Sequence, residues 1–176
     1  MEKAKILPCG FTRREEKGII KADKEIKMFE SLTKFIEPLK EPDKLGTWRS
    51  ERYDEKGNIV ELVIPYIDYC GTVKELVAAI EKFNEDFPQF HMLKYMATLK
   101  AKGVYWDADT MKLLDVRRSE DRTVLCLLMG LVRGEYFCTG IIEEYISEGH
   151  VNRWLERLKY LDELRRKREI PKTERL

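Results

Sequence analysis

The chain has 176 residues, with 33 Lys+Arg against 32 Asp+Glu, 37% charged residues and 43% hydrophobic ones. That size fits one ordinary domain with a core of its own, and a net charge of +1 excludes a uniformly basic nucleic-acid coat. No run of about 20 apolar residues is present, which excludes a membrane-spanning helix.

Residues 1–23 mix charges with Pro8, Gly10 and Gly18 without a sustained period, and predict a flexible N-terminal arm. The start, Met1 to Pro8, is basic but carries only Ile6-Leu7 as an apolar stretch, so it is not expected to act as a signal peptide. A first helix is predicted over Lys24–Glu37. Met28, Phe29, Leu32, Phe35, Ile36 and Leu39 recur at helical spacing there, and Pro38 ends it. Thr47–Tyr53 and Ile59–Ile64 are aromatic and β-branched, and Asp54-Glu55-Lys56-Gly57-Asn58 suits a hairpin loop between them. Pro65 is expected to close the second strand. Two strands alone are marginal, so the hairpin is expected to pack on helices.

Thr72-Val73-Lys74-Glu75 has the form of a capping box, followed by the stripe Leu76, Val77, Ile80, Phe83 and Phe87. Pro88 suits the start of a helix carrying Phe90, Leu93, Met96 and Ala97 and stopping at Gly103. Val104-Tyr105-Trp106 reads as a short extended link. Ser119-Glu120-Asp121 then opens a helix with nine consecutive apolar residues, Val124 to Val132, which is too short for a membrane and suited to the centre of a core. A short helix near Ile141–Ser147 lies between Gly140 and Gly149. The last helix, about His150 to Arg168, places Val151, Trp154, Leu155, Leu158, Leu161 and Leu164 on one face. Asp162–Arg166 and Glu163–Lys167 stand at the favourable spacing for ion pairs, and basic residues crowd the last turn. The expected fold is mainly α (α+β): a helical bundle around one buried helix with a small β-hairpin. It forms a single α-rich domain over 24–168, with a C-terminal tail at 169–176.

The chemistry the residues permit is narrow. Cys9, Cys70, Cys126 and Cys138 are widely spaced with no Cys-x-x-Cys, which fits free thiols in the cytoplasm. His91 and His150 have no partner at metal-ligand spacing. Asp107-Ala108-Asp109 begins like a calcium loop, but Lys112 and Arg118 stand where Gly and Glu are required, so the two acids are read as turn and helix-cap residues. Neither a nucleotide-binding glycine loop nor a nucleophile with a helper base is evident, so no cofactor, metal or enzymatic activity is expected.

Neutrality of the total conceals polarity along the chain. Residues 1–50 carry +3, residues 51–150 carry −6 and residues 151–176 carry +4. Arg165-Arg166-Lys167-Arg168, preceded by Arg153 and Arg157, makes the last helix a candidate nucleic-acid contact, or an ordinary helix with a solvated basic end. Arg133 and Glu135 directly follow the apolar run and flank Gly134. They are read as an ion pair or helix-end contact that docks the last helices, with a polar spot for a partner as the alternative. The candidate partner-binding residues are Arg133, Glu135, His150, Arg153, Arg157, Arg165, Arg166, Lys167 and Arg168.

Leu128 to Gly140, then Glu148-Gly149 and Asn152-Arg153-Trp154-Leu155-Glu156-Arg157-Leu158, resembles an uncharacterised domain family of bacteria, archaea and their phages. The shared features are an Arg-x-Glu-x-Phe ending of the core helix, a Gly before the last helix and a Trp-Leu-x-Arg-Leu pattern on it. The resemblance covers roughly residues 26–165. It implies an intracellular setting and a link to mobile genetic elements, and supplies no activity or catalytic residue. A small phage-borne protein without enzyme motifs is expected to bind a host protein. Inhibition of a defence nuclease, as by an anti-CRISPR protein, is one concrete form of that expectation, and nucleic-acid binding by the last helix is the other reading.

Overall fold

A computed structural model of the chain describes residues 27–40 and 44–169. The arm expected over 1–23, the first three residues of the expected first helix and residues 170–176 of the tail lie outside the described residues.

The expected helix over Lys24–Glu37 is shorter in the structure. Its α-helical part, α1, is Glu30–Thr33, and the chain then continues through successive turns to Lys40. Pro38 has no N–H to donate, and the surrounding bonds tighten to the i→i+3 pattern, as in Phe35 N–H to Leu32 carbonyl and Lys40 N–H to Glu37 carbonyl. The apolar positions still serve their predicted purpose, since Phe29, Leu32, Phe35, Ile36 and Leu39 are all buried.

Strand β1 is Gly46–Tyr53 and β2 is Ile59–Tyr69, paired antiparallel, the only sheet among the described residues. Asp54 shapes the loop by accepting the N–H groups of Lys56 and Asn58 at 2.9 and 2.8 Å. Contrary to expectation, Pro65 does not close β2, which runs on to Tyr69. The register steps from Arg49↔Tyr66 to Glu51↔Leu62, so β2 carries extra residues opposite Ser50, and Pro65 falls among them. A proline is tolerated where the ladder is already interrupted. The expectation that the hairpin packs on helices holds at its base alone. Ile67 is buried, and the Trp48 ring edge lies against Gly140, whereas Ile59, Val60 and Ile64 are exposed.

Helix α2 (Gly71–Asp86) starts directly after the sheet. Cys70 donates its N–H to the Leu45 carbonyl at 2.8 Å, which pins the chain there and places Thr72 inside the helix. The capping box predicted at Thr72 is therefore not built; of the predicted stripe Leu76, Ile80 and Phe83 are buried, joined by Val73, whereas Val77 and Phe87 are half-buried. The helix expected from Pro88 to Gly103 is broken by His91, whose φ of 51° interrupts two short 3-10 turns before α3 (Tyr95–Lys100). The break shifts the helical phase, so Met92 and Leu99 are buried and Leu93 and Met96 face solvent.

Asp107 caps α4 (Ala108–Leu113), accepting from the N–H groups of Asp109 and Thr110, the cap role its spacing suggested. In α5 (Asp121–Gly134) every residue from Thr123 to Val132 is buried. Glu120, not Ser119, occupies its N-cap position. This helix is the axis of the fold, with α2, α3, α6 (Ile141–Ser147) and α7 (His150–Glu169) packed against it. Gly130 lets Trp106 approach closely. The Trp106 indole donates to the Gly130 carbonyl at 2.9 Å, and a Cβ at position 130 would sit 3.1 Å from the ring. On α7, Val151, Trp154, Leu155 and Leu158 are buried. The result is the expected mainly helical α+β fold around one buried helix, with a small β-hairpin at its side.

Candidate functional site

The buried run of α5 ends in Arg133, Gly134 and Glu135. Glu135 turns back over the next helix, its two carboxylate oxygens accepting the N–H groups of Gly140 at 2.8 Å and Ile142 at 3.1 Å. Gly140, with φ 95°, occupies the N-cap of α6 and has no side chain to cap it. Glu135 supplies the missing acceptor and a negative charge at the positive end of the helix. Arg133 forms no hydrogen bond or ion pair among the described residues. Of the two arrangements expected for this pair, the helix-end contact is the one present.

Beside Glu135 lies a groove of about 480 Å³ between the hairpin base, α2 and the α5–α6 corner. Tyr66 and Tyr69 come from β2, Val77 and Glu81 from α2, and Tyr136 from the turn that follows α5. Burial, with the Glu135 carboxylate close by, pushes the Tyr69 hydroxyl well above the ordinary phenol range, and that hydroxyl has no well-aligned hydrogen-bond partner. Lys74 at the rim is held by Asp68 at 2.7 Å, while Glu81 forms no ion pair among the described residues. Large apolar side chains are also exposed on the hairpin and just after α5. Ile64 is 88% exposed, Phe137 82% and Tyr136 73%, with Trp48, Ile59 and Val60 exposed along the hairpin. None of these was singled out from sequence except Glu135. The available signal was the aromatic, β-branched hairpin itself, which was read for its strands and not for its surface.

His150 and Arg153 belong elsewhere. Arg153 Nη2 lies 2.7 Å from His150 Nδ1, and His150 Nε2 lies 3.2 Å from Glu148, which Lys112 also holds at 2.9 Å. Burial first, then the Arg153 charge, lowers the His150 pKa below its ordinary value, against the opposing pull of Glu148. Further along α7, a second groove of about 720 Å³ runs against the Leu114–Arg117 segment. It is lined by Arg117, Arg153 and Arg157, with Tyr160 as its aromatic wall. Arg157 donates to the Ser119 carbonyl at 2.9 Å, and its guanidinium lies 5.3 Å from the Tyr160 ring centre.

The basic cluster does not act as one surface. Arg165 is a tertiary tie: it pairs with Asp121 at the start of α5, contacts the Met28 sulfur and lies over the Phe29 ring at 4.9 Å. Beside it Asp162, buried, accepts the Phe29 N–H at 2.9 Å, and burial raises its carboxyl pKa above the ordinary value. Arg166 is half-buried in a crevice with Lys159 and Glu163, while Lys167 and Arg168 are exposed. Of the nine residues predicted to meet a partner, Glu135 lines the first groove, Arg153 and Arg157 line the α7 groove, His150 and Arg165 make structural contacts, Arg166 lies in its crevice, Lys167 and Arg168 are exposed, and Arg133 lines neither groove.

Burial likewise pushes the Cys126 thiol up. Among the described residues, no group of three or more His, Cys, Asp or Glu side chains is placed to hold a metal ion, and no helix is long and apolar enough to cross a membrane. A family of unknown function (DUF6508) matches residues 26–163, and the chain belongs to that family. No curated protein matches the chain, and no solved structure matches it.

Proposed function

We propose that the chain is a non-enzymatic protein-binding domain that meets its partner through the hairpin and the Tyr66–Tyr136 groove. The observation that carries this is the number of large apolar side chains left exposed on the hairpin (Ile59, Val60, Ile64, Tyr66) and just after α5 (Tyr136, Phe137), with Tyr66 and Tyr136 meeting in the groove. Apolar patches of this kind, rich in aromatics and rimmed by polar groups, mark association surfaces more often than catalytic ones. Glu81, without an ion-pair partner of its own among the described residues, favours a partner segment that brings a basic side chain among apolar ones. We assign the partner to the host proteins that a phage or mobile-element regulator would engage in the cytoplasm, a defence nuclease in the anti-CRISPR manner being the most concrete form. Support for that setting is the C-terminal Arg-x-Glu-x-Phe and Trp-Leu-x-Arg-Leu pattern.

The test is retention of host-lysate proteins by the tagged full chain, followed by affinity measurement on the protein recovered. A saturable partner is expected. Ile64→Asp and Tyr136→Ala, both at exposed positions, are each expected to weaken it about tenfold while circular dichroism stays unchanged. Full retention by both variants, or no saturable protein in the lysate, overturns the assignment.

Nucleic-acid binding is the second reading, favoured by the groove in which Arg117, Arg153 and Arg157 converge with Tyr160. Reversing Arg117 and Arg153, both exposed, is expected to abolish retention on single-stranded DNA in low salt. It is also expected to lower the salt dependence of binding by about one unit per lost phosphate contact. Unchanged retention removes this reading.

A further inference from the structure

The two strands of the hairpin have unequal outer edges. Both register steps place the extra residues on β2, which also carries Pro65, and interruptions of this kind blunt an edge against further pairing. By contrast β1 has no proline and no insertion across its eight residues, and no strand pairs with its outer edge among the described residues.

Charges on β1 are not balanced within the hairpin. Arg52 pairs with Glu61 at 3.1 Å. Arg49 forms no ion pair among the described residues, and Glu51 is met only by the Tyr53 hydroxyl at 2.6 Å. We propose that the outer edge of β1 pairs antiparallel with β1 of a second copy of this chain, centred on Ser50, giving a four-stranded sheet across a twofold axis.

Symmetry selects that register. A twofold axis perpendicular to the sheet keeps each residue on its own face, so the strands must be centred on a residue and not between two. Centring on Arg49, Glu51 or Arg52 sets a charge against its own copy. Centring on Ser50 sets Arg49 opposite Glu51 of the second copy, and Glu51 opposite its Arg49, on one face. The same register brings Trp48 opposite Arg52 of the second copy on the other face, where a guanidinium suits an indole. Directly opposed unlike charges are the favourable cross-strand combination and like charges the unfavourable one.

The dimer needs no host protein and does not involve Ile64 or Tyr136, so its failure is separate from failure of the proposed function. The experiment is light-scattering mass measurement and sedimentation of the purified full chain up to its highest soluble concentration. A mass approaching twice 20.9 kDa is expected as concentration rises. Arg49→Glu or Glu51→Arg alone is expected to weaken the dimer about tenfold or more, because each converts two attractions into two repulsions. The double variant Arg49→Glu/Glu51→Arg exchanges the signs and is expected to restore it. A chain that stays monomeric at every concentration, single variants that dimerise like the parent, or a double variant that remains monomeric each overturns the proposal.

Discussion

Trp154→Ala is expected to cost about 3–5 kcal/mol of folding stability, read as a lowered urea midpoint with little change in slope. The residue is 1% exposed on the inner face of α7. Its ring lies 5.5 Å from that of Tyr145, so it joins α6 to α7 as well as facing the core. Truncation removes a large apolar surface and leaves a cavity that the surrounding helices, held by ties along α7, cannot close. Those ties are the Arg157 bond to the Ser119 carbonyl near the middle of α7 and the Arg165–Asp121 pair near its end. Against a total of roughly 5–15 kcal/mol for a domain, such a loss leaves the chain marginal at ordinary temperature. A cost below about 1 kcal/mol would mean that α7 is not integral to the core. Tyr160→Ala, on the outer face of the same helix, is expected to stay within about 0.5 kcal/mol of the parent.

The parts of the fold that were legible in the sequence are those fixed by burial and period. The nine apolar residues from Val124 to Val132 are all buried, and most positions of the α2 and α7 stripes are too, with Val77, Phe87, Leu161 and Leu164 half-buried. Local chain geometry was less legible. His91 adopts a left-handed backbone that its residue type does not announce, and the phase of the following helix changed with it. Pro65 lies within β2 because a register step absorbs it, a feature visible only once two strands are paired. Thr72 lost its cap role to a tertiary bond between Cys70 and Leu45, which are remote from it in pattern though close in the fold. At the candidate site the sequence pointed to charges, whereas the structure brings together aromatic and apolar residues from β2, α2 and the turn after α5. Tyr66, Val77 and Tyr136 share no spacing that a linear reading detects. Arg165 shows the converse, since a residue in a basic run looks solvated until the Asp121 carboxylate is placed beside it.

Glu135→Ala is expected to destabilise the chain by about 3 kcal/mol, because two charge-assisted bonds to the Gly140 and Ile142 N–H groups disappear together and those donors have no substitute side chain. Glu135→Gln keeps one carbonyl acceptor and no charge, and is expected to lose about half as much. The ordering Glu, then Gln, then Ala in thermal unfolding is the signature of a helix-end contact. Glu135 also lines the groove, so its removal would reduce partner binding on either account, and binding alone does not separate them. The separation comes from α6, which among the described residues depends on Glu135 for its side-chain acceptor at the N-terminus. Amide exchange should accelerate in residues 140–146 of Glu135→Ala while α2, across the groove, stays protected. Arg133, which forms no hydrogen bond or ion pair among the described residues, is the control: Arg133→Ala is expected to change stability by less than about 0.5 kcal/mol. Equal losses from Arg133→Ala and Glu135→Ala would mean that the two act as a coupled pair after all, and that the capping geometry is not what holds this corner.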